Sequence, residues 1–143
     1  MRACFFVGVM SLTMGIAGCA RGPEQVEHRA KQTRPITIVL HDQGGECRAS
    51  FGKKPQHAYR GDTVSWEFIN TCGADQQVTL ALKSGSSNPF TDSAGSWPIP
   101  AKAGNENNPD SKDLDVNNDA KGSYGFDIVI GGKSYDPRLE VDP

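Results

Sequence analysis

Apolar residues alternate with polar ones along most of the chain after residue 35. In the first such run, Ile36, Ile38 and Leu40 are separated by single residues, and the longest run extends from Tyr124 to Ile130. Alternation with a period of two is typical of a β-strand with one buried face. On this basis strands are predicted at residues 36–40, 47–51, 57–59, 64–70, 78–82, 114–116, 124–130 and 135–141.

Glycine and proline mark the turns between these strands. Gly44-Gly45 ends the first predicted strand, and Gly131-Gly132 indicates a tight hairpin. No run with helical periodicity exceeds two turns. Seven or eight short strands separated by turns predict an all-β fold, either a two-sheet sandwich or a barrel.

Residues 84–110 show no period. They contain four prolines and many Ser, Asn and Gly residues, and they predict one long irregular loop with a helical turn near Pro89–Ser93. Loops of this length in compact domains are often functional. Trp97 lies in this loop among prolines, which makes it a candidate binding residue. The alternative is a ring that folds onto the open end of the sandwich.

The composition excludes some partners. Fifteen Lys or Arg residues stand against 17 Asp or Glu residues, a formal net charge of −2. A net charge this small and negative gives no indication of a basic patch for nucleic acid, and we predict no nucleic-acid partner. No stretch after Ala17 is long and apolar enough to span a bilayer.

The N-terminal residues combine a charged start, an apolar run and small residues. Arg2 is followed by an apolar run from Ala3 to Ala17 and then by Gly18-Cys19, a pattern typical of a secretory signal. Ile16-Ala17-Gly18-Cys19 resembles the lipobox of bacterial lipoproteins. The resemblance implies that Cys19 becomes the acylated first residue and anchors the protein to membrane lipid. The alternatives are an ordinary signal peptide and a membrane span, although about 15 apolar residues fall short of the roughly 20 that a spanning helix needs.

We therefore divide the chain into a signal peptide at 1–18, a lipidated Cys with a polar tether at 19–34, and one domain at 35–143. In lipoproteins an Asp after the lipidated Cys favours retention in the inner membrane, so Ala20 implies the outer membrane if the cell has two membranes. The predicted location is the cell envelope. Membrane lipid is the first expected partner, and an envelope protein or glycan is a candidate second one.

Two cysteines remain for the domain, because Cys4 leaves with the signal peptide and Cys19 carries lipid. Disulfides persist outside the cytoplasm, so Cys47 and Cys72 are predicted to pair. The alternative is a metal site with two thiolate ligands, but the chain has no CxxC or HxxxH spacing that would favour one.

Two motifs resemble the cupredoxins, which are small blue-copper β-sandwiches. Gly61-Asp62-Thr63-Val64-Ser65-Trp66 is similar to the GDTVxW strand of that family, and Gly122-Ser123-Tyr124-Gly125-Phe126 is similar to its G-x-Y-x-F strand. Their order and spacing extend the resemblance over residues 36–143. The resemblance implies a cupredoxin-like Greek-key β-sandwich, and an immunoglobulin-like sandwich is the alternative.

The resemblance also indicates where copper ligands would lie, and the residues at those positions are not ligands. A blue-copper site uses two imidazoles, a thiolate and usually a weak axial thioether. Gln76 takes the position of the first His and Ile128 that of the Cys, while the loop Gly131–Asp136 contains neither a His nor a Met. No Met follows Met14. We therefore predict a copper-free domain with no cofactor.

Three further features suggest weaker alternatives. His41 and His57 would form a surface metal site if their strands were neighbours, although solvated side chains are expected. Residues 113–119 alternate like the start of an EF-hand loop, but Asn118 and Tyr124 stand where its glycine and bidentate acid belong. No GxSxG nucleophile motif is present, and we predict no catalytic residue.

Together these observations predict a non-catalytic, membrane-anchored envelope lipoprotein whose domain binds a partner or has a structural role. The resemblance keeps a copper-handling or electron-transfer protein as one alternative, although fold alone is a weak guide to function. A carbohydrate-binding or adhesion module is the other alternative, with Trp97 as its candidate contact residue.

Overall fold

The computed structural model describes residues 29–143, so the predicted signal peptide, Cys19 and most of the predicted tether lie outside the described residues. Within 29–143 there is no helix that could cross a membrane. Every regular element in this range is a strand. The ten strands are β1 (Thr33–Asp42), β2 (Cys47–Ser50), β3 (Gln56–Tyr59), β4 (Thr63–Asn70), β5 (Gln76–Leu82), β6 (Ser96–Ala101), β7 (Asp110–Asp115), β8 (Gly122–Ile130), β9 (Lys133–Tyr135) and β10 (Arg138–Asp142).

The strands form two mixed sheets. The first sheet has the order β2-β1-β4-β7, in which β1 and β4 run parallel. The second sheet has the order β3-β10-β8-β5-β6. The short strand β9 also pairs with β8 but is not part of this linear order. The chain crosses repeatedly between the sheets, so most neighbouring strands are distant in sequence. The predicted all-β sandwich is confirmed.

The core consists of the alternating apolar side chains of both sheets. Trp66 of β4 and Phe126 of β8 are fully buried, and their ring centroids lie 5.1 Å apart where the two sheets meet. Phe90, in the loop before β6, packs against Phe126 at 5.7 Å. Large aromatic rings bury much apolar area, so this group is a main source of hydrophobic stabilisation.

The prediction of one long irregular loop at 84–110 is wrong in part. Residues Ser96–Ala101 form β6, which pairs antiparallel with β5 along its whole length. Its side chains alternate, with Trp97, Ile99 and Ala101 buried and the two prolines exposed. Proline is tolerated here because β6 lies at the edge of its sheet, where a missing N–H donor need not break a ladder.

The helical turn predicted near Pro89–Ser93 is also wrong. Phe90 forms an isolated β-bridge with Val116, and the Asn88 side chain closes the turn by donating to the carbonyl of Asp92 at 2.7 Å. Asparagine commonly replaces backbone hydrogen bonds in such turns. The segment is therefore a non-helical turn, held by side-chain and backbone hydrogen bonds.

Candidate functional site

The positions that correspond to copper ligands lie in β5 and β8. Gln76 is the first residue of β5, and its Nε2 donates to the carbonyl of Ala74 at 3.3 Å. Ile128 lies inside β8, is fully buried and pairs with Leu80 of β5. The thiolate position is thus part of the hydrocarbon core.

The hairpin between β8 and β9 supplies no replacement ligand. Gly131 and Gly132 have positive φ values of 55° and 78°, which a tight hairpin turn requires. Lys133 pairs with Glu46, and the Ser134 hydroxyl donates to Asp127 at 2.8 Å. Amide, hydrocarbon, ammonium and hydroxyl groups do not match the imidazole and thiolate donors of a type-1 copper site. The residues present therefore do not fit that metal centre.

The weaker metal hypotheses gain no support from the geometry. His41 lies on β1 and His57 on β3, and these strands belong to different sheets. His57 is exposed, with its Nδ1 3.2 Å from Asp142 Oδ2. Within residues 29–143 no three His, Cys, Asp or Glu side chains are grouped as a metal site would require.

The acidic residues of β7 serve as hydrogen-bond acceptors between strands. Ser65 donates to Asp113 at 2.6 Å. Lys31 and Thr63 both donate to Asp115, at 2.8 and 2.6 Å. These bonds lower the pKa of Asp115, with the Lys31 bond as the largest cause. This arrangement is that of a polar strand rather than a calcium loop.

The predicted disulfide between Cys47 and Cys72 is confirmed. Their Cα atoms lie 5.9 Å apart, and the bond closes a sequence separation of 25 residues. Cys47 begins β2, whereas Cys72 follows β4, so the bond crosses over β1, which lies between those strands. Both sulfurs are used in this bond and neither is a thiolate ligand.

Trp97 lies in the core, and its burial does not support the prediction of a binding residue. The side chain is 3% exposed, and its ring packs edge-on against Phe90 with centroids 5.7 Å apart. The indole Nε1 donates to Asp92 at 3.0 Å. The backbone N–H of Ala94 also donates to Asp92. The Ala94 bond, as the larger cause, and the Trp97 bond lower the pKa of Asp92. The alternative interpretation, a ring folded onto the sandwich, agrees with this geometry.

Asp62 is a buried, charged residue whose long-range role sequence reasoning missed. Its side chain is fully buried. Arg29 donates to both carboxylate oxygens at 2.9 and 3.1 Å, and Arg34 donates at 3.2 Å. The backbone amides of Gln32 and Tyr59 donate at 3.0 and 3.2 Å. We call this group, Asp62 with Arg29, Gln32, Arg34 and Tyr59, the Asp62 clamp.

The clamp holds the end of the predicted tether against the domain. Burial alone would raise the pKa of Asp62, but the hydrogen bonds from Arg29, Gln32, Arg34 and Tyr59 together outweigh it, so the pKa lies below its ordinary value. The Arg29 guanidinium also lies 4.1 Å from the centroid of the Tyr59 ring, a favourable cation–π contact. The sequence signal was the Arg60-Gly61-Asp62 turn, which explains only the local bond to Tyr59.

No protein-family model matches the sequence, and no curated protein matches it. Solved structures with similar folds include the McoA multicopper oxidase from the hyperthermophile Aquifex aeolicus, at 11% identity and a TM-score of 0.46. The match covers 78% of this chain and 30% of that protein. The blue copper oxidase from Nitrosomonas europaea matches at 13% identity and a TM-score of 0.41, over 85% of this chain and 47% of that protein.

A further multicopper oxidase matches at 13% identity and a TM-score of 0.45, over 80% of this chain and 45% of that protein. The chain thus spans less than half the length of each of these proteins. Likeness at this level carries no argument about copper, oxidation or substrate.

Proposed function

We propose that the chain is a lipid-anchored envelope protein whose cupredoxin-like domain has a non-redox, non-catalytic role in binding or structure. The observation that carries the proposal is the burial of Ile128 in the core at the position where a cupredoxin has its copper thiolate. An aliphatic side chain there cannot bind a copper ion or pass an electron through a metal–sulfur bond.

Four other side chains that could supply reactive chemistry have structural roles. Cys47 and Cys72 form the disulfide. Asp62 is neutralised by two arginines, and Asp92 accepts the indole N–H of Trp97. These contacts are consistent with the non-catalytic role proposed here, because they use these four side chains to stabilise the fold.

Lipid anchoring is supported by the N-terminal sequence. Ile16-Ala17-Gly18-Cys19 closes an apolar run of the length expected for a signal peptide. One acyl chain binds a membrane only marginally, whereas the several chains of a bacterial lipoprotein hold firmly. Ala20, which follows Cys19, supports a location in the outer membrane if the cell has two membranes.

Mass spectrometry of the protein extracted from membranes tests the anchor. The expected result is a chain that begins at Cys19, carries acyl groups and contains the Cys47–Cys72 disulfide. A Cys19→Ala variant is the control and should lack the acyl mass. A wild-type chain that begins elsewhere, or an unmodified Cys19, would refute lipid anchoring.

Titration with Cu(II), followed by absorption spectroscopy, tests the non-redox role. We expect weak binding without a thiolate charge-transfer band, because both domain cysteines are oxidised. An Ile128→Val variant should behave identically, since it removes no donor atom. Stoichiometric copper binding with a charge-transfer band would overturn the proposal in favour of a copper-handling protein.

A further inference from the structure

A cleft of about 240 Å³ lies where the β2–β3 loop meets the start of β10. It is lined by Phe51, Gly52, Lys53, Lys54, Pro55, Asp136 and Arg138. The cleft forms because β3 and β10 run parallel with Gln56 opposite Leu139, which brings the two preceding segments side by side. Residues about 80 positions apart in sequence therefore share one surface.

The charge of this cleft is opposite to that of the whole chain. Lys53, Lys54 and Arg138 are exposed and form no ion pair within residues 29–143. The single acid in the lining, Asp136, is already paired with Lys83 at 2.6 Å. A formal net charge of −2 for the chain thus coexists with three uncompensated cations at one site. Such a local concentration of one sign attracts ions of the other sign.

We propose that this basic cleft binds a phosphomonoester group. A phosphomonoester carries between about −1.5 and −2 charges at neutral pH and three acceptor oxygens, which suits three cations better than a carboxylate does. The Arg138 guanidinium can bond two phosphate oxygens at once, and the lysines supply further charge. The half-buried ring of Phe51, packed against the core, offers an apolar surface for the rest of the ligand.

The size of the cleft limits the ligand. Sites for drug-sized molecules occupy roughly 300–1,000 Å³, whereas this cleft has about 240 Å³. It therefore suits a small phosphomonoester or the terminal phosphate of a larger molecule, such as a lipid headgroup. The inference rests on the binding role proposed above but not on acylation of Cys19, so the two can fail separately.

Nuclear magnetic resonance titration of the full chain in non-ionic detergent tests the site, with phenyl phosphate as the probe. We expect saturable shifts at the backbone amides of residues 51–54 and at those of Asp136 and Arg138. Phenyl sulfate, which has the same shape and a single negative charge, should bind about tenfold more weakly. Shifts that stay linear through millimolar phenyl phosphate, or equal affinity for both probes, would refute a phosphomonoester site.

Charge-matched variants separate a specific site from general attraction. The double variant Lys53→Gln with Lys54→Gln should weaken phenyl phosphate binding at least about tenfold. The control Lys102→Gln with Lys121→Gln removes the same charge from exposed lysines outside the cleft and should change affinity less than about twofold. Equal losses in both double variants would refute the site.

Vesicles distinguish the two sources of the phosphate. An unacylated Cys19→Ala chain is mixed with vesicles of a zwitterionic phospholipid to which one anionic lipid is added. The added lipid is either phosphatidic acid, whose headgroup is a phosphomonoester, or phosphatidylglycerol, whose headgroup is a phosphodiester. Cleft-dependent binding to phosphatidic acid supports a lipid source, and binding to phenyl phosphate alone supports a free ligand. Binding to neither probe overturns the proposal.

Discussion

Replacement of Asp62 by Asn tests the Asp62 clamp, because it removes the charge and keeps the shape. The variant leaves Arg29 and Arg34 without the carboxylate that accepts three of their hydrogen bonds. Loss of one partner from a buried ion pair costs about 3–5 kcal/mol. The two arginine side chains are 36% and 35% exposed, so water compensates part of this loss. We therefore expect the free energy of unfolding to fall by about 2–3 kcal/mol.

Denaturant unfolding, followed by the fluorescence of the two buried tryptophans, measures this change. The expected loss corresponds to a fall in Tm of roughly 10 °C for a domain of this size. Asp115→Asn is the matched control, because Asp115 also pairs with a basic residue of the predicted tether, Lys31, but is half exposed. The control should cost less than about 1 kcal/mol. Similar losses in both variants would refute the special role of the buried carboxylate.

The pH dependence of the stability difference between wild type and Asp62→Asn tests whether the loss is electrostatic in origin. The pKa of Asp62 lies below its ordinary value in the folded protein, and that ordinary value is about 3.9. A lowered pKa contributes stability above the unfolded value, and the contribution is lost as pH falls through the folded value. The gap between wild type and Asp62→Asn should therefore stay constant from about pH 5 to 8 and shrink below about pH 4. A gap that does not change at low pH would contradict this explanation.

Three further substitutions test the rest of the fold. Paired Cys47→Ser and Cys72→Ser should lower the free energy of unfolding by about 3–4 kcal/mol, and reduction of the wild type should match this in the same assay. Trp97→Ala should lower the free energy of unfolding by about 3–5 kcal/mol in denaturant unfolding. A loss below about 1 kcal/mol would instead indicate that the ring is exposed. Gly61→Ala should cost about 1–3 kcal/mol by thermal unfolding, because Gly61 has a φ of 80° and an added Cβ would lie 3.0 Å from Asn118 Oδ1.

The period-two pattern located strands wherever apolar side chains alternate with ordinary polar ones. Ile36, Ile38 and Leu40 are buried as predicted, and so are Phe126 and Ile128. In such segments the pleat alone decides which face is buried, so a local pattern carries the information. The disulfide was predicted by a different argument, from the number of cysteines that remain for the domain.

The pattern failed at β6 for an identifiable reason. Trp97, Ile99 and Ala101 alternate as regularly as any other run, but prolines occupy both intervening positions. Proline is usually evidence against a strand, and only the position of β6 at the sheet edge makes it acceptable. That position depends on the arrangement of the whole sheet, which a local pattern does not contain.

Long-range polar contacts were also beyond the reach of a local pattern. Arg29 and Asp62 are 33 residues apart in sequence, and the cleft joins Lys54 to Arg138 across most of the domain. Both arrangements follow from parallel strand pairs, since β1 pairs with β4 and β3 with β10. Parallel pairing brings together segments with no local turn between them, so no short motif records it.

The positions of the clamp and the cleft bear on the proposal that Cys19 carries a lipid anchor. If Cys19 carries the lipid, nine residues separate it from Arg29, and they span at most about 32 Å. This length is close to the diameter of a domain of about 115 residues, so the domain stays next to the membrane. Arg29 lies against Tyr59 at the end of β3, whereas the cleft begins at Pro55 before that strand. The clamp and the cleft therefore lie at opposite ends of the four-residue strand β3.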